Sequence, residues 1–121
     1  MDITKYTVDI LTDASGDFTV DLRVEDGLFA QLRYVPDGSN PLDTGADLTI
    51  TDSNTGFGYY SHSNIGTSAF DRLPRQFIAD AADGSNSSTI YDYAMTSGAL
   101  TITVAQGGNA LQGTLYIWIS H

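Results

Sequence analysis

Thr4-Lys5-Tyr6-Thr7-Val8-Asp9-Ile10-Leu11-Thr12, Asp13-Ala14-Ser15-Gly16-Asp17 and Phe18-Thr19-Val20-Asp21-Leu22-Arg23-Val24 make up the stretch that decides the fold class. Tyr6, Val8 and Ile10 alternate with Thr7 and Asp9, and Phe18, Val20, Leu22 and Val24 alternate with Thr19, Asp21 and Arg23. A period of two puts apolar side chains on one face of a strand and polar ones on the other. Between the runs, Asp and Ser supply acceptors for the turn backbone, and Gly16 tolerates positive φ. The pattern predicts two strands joined as a hairpin. No secretory signal or membrane span is expected ahead of it, which predicts a soluble β-protein.

The same periodicity continues outward. A third strand fits residues 28–35, with apolar side chains on both sides of Gln31 and Arg33, so burial on both faces is expected. Pro36-Asp37-Gly38-Ser39-Asn40-Pro41 breaks it, a short strand follows at 47–51, and residues 57–61 return after the Asp52-Ser53-Asn54-Thr55-Gly56 turn. Pro74 would cost a ladder bond in a central strand, so residues 66–77 read as an edge strand or crossing segment. The polar stretch 80–88 reads as an exposed loop, residues 89–95 as a strand, and 100–104 with 114–119 as a second hairpin around Gln106-Gly107-Gly108-Asn109. Short strands with turns between them and no linker predict one domain over 1–121, an antiparallel β-sandwich or small barrel, with a jelly-roll variant among the options.

Composition narrows the function classes. A chain of 121 residues buries roughly two-thirds of the surface its unfolded form exposes, so its core needs no staples. The absence of cysteine excludes disulfides, thiolate catalysis and cysteine-type zinc sites. Five basic residues oppose fifteen acidic ones, all Asp except Glu25, for a net charge of -10. Phosphate backbones and anionic membranes repel such a surface, so neither nucleic acid nor membrane is expected as a partner. Asp, Asn, Ser and Gly cap turns, whereas Glu and Lys populate helices, which fits a turn-rich fold.

Candidate chemistry is thin. His62 and His121 are the two imidazoles; His121 reads as a frayed terminus, leaving His62 as the potential base. Ser61 and Ser63 adjoin it in sequence, but strand neighbours point apart, and catalysis needs base, orienting group and oxyanion donors together. The pairs Asp13 with Asp17 and Asp80 with Asp83 suggest a glycosidase dyad, yet each lies beside turn residues that capping explains. Asp52-Ser53-Asn54 and residues 80–86 offer hard oxygens to calcium, without the spaced ligands or bidentate Glu of an EF-hand. No catalytic, cofactor or metal site is therefore expected. Tyr59, Tyr60, Tyr91, Tyr93 and Trp118 could stack on sugars, although strand aromatics more often pack in cores. Tyr116 and Trp118 share the face opposite Leu115, Ile117 and Ile119, which makes the last strand apolar on both sides. That face is either covered or an interface. Arg72 and Arg75, flanking Pro74, read as a solvated pair or as ion-pair donors to an acidic neighbour.

The first segment, from Lys5-Tyr6-Thr7-Val8-Asp9-Ile10 to Thr12-Asp13-Ala14-Ser15-Gly16-Asp17, resembles the start of small virion structural proteins of tailed bacteriophages. The likeness continues through Arg33-Tyr34-Val35-Pro36, Leu42-Asp43-Thr44-Gly45-Ala46-Asp47-Leu48-Thr49-Ile50-Thr51, Thr55-Gly56 and Asn64-Ile65-Gly66-Thr67-Ser68-Ala69. It resumes at Leu73-Pro74-Arg75, Val104-Ala105-Gln106-Gly107-Gly108 and Gly113-Thr114-Leu115-Tyr116. Residues 18–28 and 80–97 depart from it. The resemblance implies a non-enzymatic capsid cement or decoration subunit, β-rich and trimeric, that binds the major capsid protein in the virion after synthesis in the bacterial cytoplasm. Connector, tail or fibre components share the look. Tyr116, Trp118, Arg72 and Arg75 are the expected interface residues, and a glycan- or calcium-binding module is the rival reading.

Overall fold

Alternation fixes which side chains go inward, and the sheet order shows what they meet. A computed structural model describes residues 2–79 and 86–121. Its strands are β1 (Ile3–Leu11), β2 (Phe18–Arg23), β3 (Gly27–Pro36), β4 (Asp47–Asp52), β5 (Gly58–His62), β6 (Phe70–Arg72), β7 (Arg75–Ala79), β8 (Asn86–Tyr93), β9 (Met95–Thr96), β10 (Ala99–Ala105) and β11 (Gln112–Ser120). One sheet runs β1-β11-β3-β6 with β9 also on β3, the other β2-β10-β4-β5, and β7 pairs with β8 separately. With β7, β8 and β9 set aside as an insertion, the remaining eight strands counted along the chain read 1-8-3-6 and 2-7-4-5. That antiparallel wrapping is a jelly roll. The sheets are not closed into a barrel, so the sandwich form of the expectation holds.

The core lies between the sheets. Val8, Ile10, Leu32, Tyr34, Leu115, Ile117 and Ile119 from one sheet meet Leu48, Ile50, Leu100, Ile102 and Val104 from the other, all buried. β11 and β10 sit inside their sheets, which explains the clean alternation of their inward residues. One side of the sandwich is closed by Phe70 of β6, whose ring lies 4.5 Å from the His62 ring and 5.5 Å from Tyr34.

Neither expected hairpin forms. β1 pairs with β11 and β2 with β10, so residues 12–17 cross from sheet to sheet, as residues 106–111 do between β10 and β11. Alternation gives the buried face of a strand but not its neighbour, and two such faces bury more apolar surface facing each other across a core than side by side. The two crossing turns also satisfy one another. Gly107 donates its amide to Gly16 O at 2.8 Å, and the Thr12 amide donates to Leu111 O at 3.0 Å. Gly16 has φ +83°, and a Cβ there would lie 3.0 Å from Gly108 N, so the contact requires glycine.

β3 departs from double-sided burial for a specific reason. Its pairing with β11 shifts between Trp118↔Gln31 and Ile119↔Phe29, which leaves Ala30 as an extra residue. This bulge changes the phase, so Phe29 and Leu32, three residues apart, both face the core. Arg33 remains exposed. Strands at 47–52 and 58–62 match the expected positions within a residue, and β6 is an edge strand just before Pro74. Of the expected loop at 80–88, residues 80–85 lie outside the described residues and 86–88 belong to β8; the strand expected at 89–95 divides into β8 and β9 at Ala94.

Candidate functional site

The outer face of the β1-β11-β3-β6 sheet is the most distinctive surface. Register sets Lys5 opposite Trp118 and Thr7 opposite Tyr116 on one side, and Gln31 opposite Trp118 and Arg33 opposite Tyr116 on the other. Because these residues are out of phase with Leu115, Ile117 and Ile119, all of them point away from the core. Tyr116 and Trp118 are half-buried, with ring centroids 6.2 Å apart and planes inclined by 36°. The Lys5 ammonium lies 5.4 Å from the Tyr116 centroid, within cation-π range. Arg33 Nε sits 3.9 Å from Asp71 Oδ1 of β6, an exposed pair that contributes little to stability. Lys5, Arg33, Val35, Tyr116 and Trp118 line a shallow open depression of about 340 Å³.

The four residues named as interface candidates do not share a face. Tyr116 and Trp118 are indeed on one face, but Arg72 and Arg75 are elsewhere. Arg72 pairs with Leu32 in the ladder and so faces the other way; its guanidinium lies 5.0 Å from the Phe70 ring and donates to Asp71 O at 2.8 Å. Arg75 opens β7 in the separate two-stranded sheet. The cations beside the aromatic pair are Lys5 and Arg33, which a choice based on Pro74 overlooked. The alternation of β1 and β3 carried the missing signal: Lys5 and Arg33 are out of phase with Tyr6 and Tyr34.

The remaining polar candidates have structural roles. His62 Nδ1 lies 2.8 Å from the Tyr60 hydroxyl and its ring packs on Phe70; burial, reinforced by the Arg72 charge, pushes its pKa down and favours the neutral ring. Ser61 and Ser63 are exposed on either side of it. His121 is an ordered ladder residue, exchanging backbone bonds with Asp2 at 2.7 and 2.8 Å, with Nε2 2.8 Å from Thr4 Oγ1. Asp13 accepts from the amides of Ser15 and Asp17, and Asp37 from those of Ser39 and Asn40, as turn caps do. Tyr59 is buried. Asp80, Asp83 and the side chains of Tyr91 and Tyr93 lie outside the described residues.

Asp52, read from sequence as a turn residue whose oxygens calcium could use, does cap that turn but is buried and fully engaged. It is 3% exposed. One oxygen accepts from the Asn54 and Thr55 amides at 2.8 and 3.0 Å; the other accepts from the Tyr59 hydroxyl at 2.8 Å and from Ser97 Oγ and N at 2.6 and 3.2 Å. Burial alone would raise its pKa, but the bonds from Ser97, Tyr59, Thr55 and Asn54 outweigh it and hold the carboxyl well below the usual range. Tyr59 is pushed up by burial and by donating to that carboxylate. The bond ties the β4–β5 turn to Ser97, 45 residues away in sequence. Sequence gave no sign of that partner. Phe57, Tyr59, Ala94 and Met95 border a second open depression beside this network. Among the described residues no three His, Asp or Glu cluster as a metal site would require, and no helix is long and apolar enough to cross a membrane.

No family model and no curated protein matches the chain. Among solved structures, the virus-like particle of extra small virus from the giant freshwater prawn Macrobrachium rosenbergii aligns with 98% of this chain and 78% of that one, at 12% identity and a TM-score of 0.32, a level that carries no argument about fold or function.

Proposed function

We propose that the protein is a non-enzymatic structural subunit that docks the outer face of its β1-β11-β3-β6 sheet onto a protein lattice, and that this lattice is the capsid of a tailed bacteriophage. The chain would act there as a cement or decoration subunit on the major capsid protein, without nucleic acid, membrane or cofactor as partner. The observation that carries docking is the half-buried pair Tyr116 and Trp118, set between Lys5 and Arg33 in a chain of net charge -10. Aromatic and Arg side chains in a shallow depression are what protein interfaces use as anchors. Two of the five basic residues line that depression, with no carboxylate among the described residues of its lining; Asp9 and Asp71 balance them elsewhere on the same sheet face, so the cations suit a local acidic group of a partner at the aromatic pair. The capsid assignment rests on the sequence resemblance. The jelly roll is compatible with it but also serves lectins, so the fold does not choose.

The test is cosedimentation of the purified protein with DNA-free heads of the phage that encodes it. The wild type is expected to saturate at a fixed ratio to capsid subunits, and Trp118→Ala with Tyr116→Ala to lose binding while remaining folded. A glycan-binding module is the second reading, because two tilted rings with Lys5, Gln31 and Arg33 around them also suit a sugar. Trp118-dependent binding to a glycan array with no binding to heads would replace the capsid reading.

A further inference from the structure

β1 is an open edge. Its nine residues pair with β11 on one side and, among the described residues, with nothing on the other. The reciprocal bonds between Asp2 and His121 set the phase of the ladder. Exchanging pairs alternate with non-exchanging ones in an antiparallel sheet, so Thr4, Tyr6, Val8 and Ile10 direct their backbone groups to β11. The Thr12 amide, donating to Leu111 O at 3.0 Å, keeps the same phase. The N–H and C=O groups of Ile3, Lys5, Thr7, Asp9 and Leu11 therefore point to the open side. Exposed edges are blunted by prolines, bulges, inward-pointing charges or charged side chains along the strand. β1 has no proline, bulge or inward charge, since its register is unbroken and its inward residues are Thr4, Tyr6, Val8 and Ile10; its outward charges, Lys5 and Asp9, are of opposite sign and repel a second strand only in registers that set like against like.

Those same five edge residues place their side chains on the outer face in a palindromic order: apolar, cation, Thr, anion, apolar. Ile3 and Leu11 at the two ends are 63% and 56% exposed. We propose that two copies of this chain pair β1 with β1, antiparallel, about a twofold axis through Thr7. In this register Ile3 meets Leu11 of the second copy, Lys5 meets Asp9, and Thr7 meets Thr7. Every open backbone group finds a partner, since the five facing pairs are all of the exchanging type. Registers centred on Lys5 or on Asp9 set like charges directly opposite, which is destabilising. Those centred on Tyr6 or Val8 set Ile3 against Asp9, or Leu11 against Lys5. The Thr7 register alone matches charge with charge and apolar with apolar. It fuses the two β1-β11-β3-β6 sheets into one and brings both copies of Tyr116 and Trp118 onto one continuous face. A twofold contact is self-complementary and closes at two subunits, unlike the head-to-tail contact of the trimer that the resemblance implies. It does not depend on what the Tyr116 face binds.

The test uses the full chain. Sedimentation equilibrium and native mass spectrometry are expected to give a dimer. Because the chain has no cysteine, Thr7→Cys introduces one thiol per copy, with facing Cα atoms about 5.5 Å apart; the Cβ atoms of such a hydrogen-bonded pair are too far apart for an unstrained disulfide, so a short bifunctional thiol reagent is used, and it is expected to cross-link the two copies. Asp9→Cys puts the two thiols roughly 14 Å apart in this register and is expected not to cross-link. Lys5→Asp should weaken the dimer roughly tenfold or more, and Lys5→Asp combined with Asp9→Lys should restore it, each variant keeping the wild-type circular dichroism spectrum. A monomeric or trimeric wild type, or cross-linking at position 9 in place of position 7, would overturn the pairing.

Discussion

Removing the Asp52 carboxylate tests whether the fold depends on the network that joins the β4–β5 turn to β9 and β10. In Asp52→Ala, the amides of Asn54, Thr55 and Ser97 and the hydroxyls of Ser97 and Tyr59 all lose their acceptor. A hydrogen bond to a charged group contributes roughly 1.5–3 kcal/mol, but five such values do not add here. Asn54, Thr55 and Ser97 are exposed and regain water, while buried Tyr59, whose single proton is shared between Asp52 and Met95 O, turns it wholly to Met95 O at 2.7 Å. The net cost is therefore that of about two charged bonds and a small cavity, ~3 kcal/mol. For a domain of this size that lowers Tm by about 10 °C. The pH dependence is more diagnostic. Native Asp52 titrates well below the ordinary carboxyl value, so its contribution is complete above the unfolded pKa near 4 and is lost as pH falls from there toward the native value. Urea unfolding of both proteins at pH 7, 5, 4 and 3 should show a gap of ~3 kcal/mol that is constant down to pH 5 and narrows below pH 4. A gap under about 1 kcal/mol at pH 7, the worth of one neutral hydrogen bond, or one that stays constant to pH 3, would refute the ionised network.

Three further outcomes follow from the core. Tyr34→Phe removes the bond its buried hydroxyl donates to Gly66 O at 3.0 Å and should cost about 1–2 kcal/mol at pH 7. Burial pushes the Tyr34 phenol up to about 12, so its neutral form stabilises the fold below the free value near 10, and the difference between wild type and Tyr34→Phe, read by urea unfolding, should shrink from pH 10 to 12. Ile117→Ala, at a fully buried position between Tyr6 and Leu32, should destabilise by roughly 3 kcal/mol in the same assay. Deleting Ala30 removes the extra residue of the β3 bulge and leaves Phe29, Gln31 and Leu32 in plain alternation against Ile119, Trp118 and Ile117; the variant is expected to keep a cooperative thermal transition, whereas deleting Arg33, inside the regular part of the ladder, turns the residues on one side to the wrong face and should abolish it.

The strands were legible because the polar-apolar period survives in each one that has a single buried face. β10 and β11 are the plainest cases, with Leu100, Ile102 and Val104, then Leu115, Ile117 and Ile119, all at 0% exposure. Partners were not legible. A turn such as 13–17, with Asp13 capping Ser15 and Asp17, looks alike whether it reverses a hairpin or carries the chain across the sandwich. The β3 bulge hid for a related reason: one inserted residue makes a half-buried strand read as buried on both faces. Tyr116 and Trp118 could be placed opposite the core from period alone. Period also put Lys5 and Arg33 on the outer side of their strands, but that they flank Tyr116 and Trp118 became visible only with the β1-β11-β3 order, because neighbours across a ladder leave no mark on spacing. Asp52 and Ser97 show the same limit over a longer separation.

Trp118 is the single tryptophan of the chain and lies on the face proposed to dock, so its fluorescence reports directly on that face. On titration with DNA-free heads, the account predicts a blue shift of its emission and reduced quenching by acrylamide, saturating at the stoichiometry seen by cosedimentation. Protein that cosediments with heads while Trp118 keeps its free emission and quenching would show that a different surface binds, and would contradict the account.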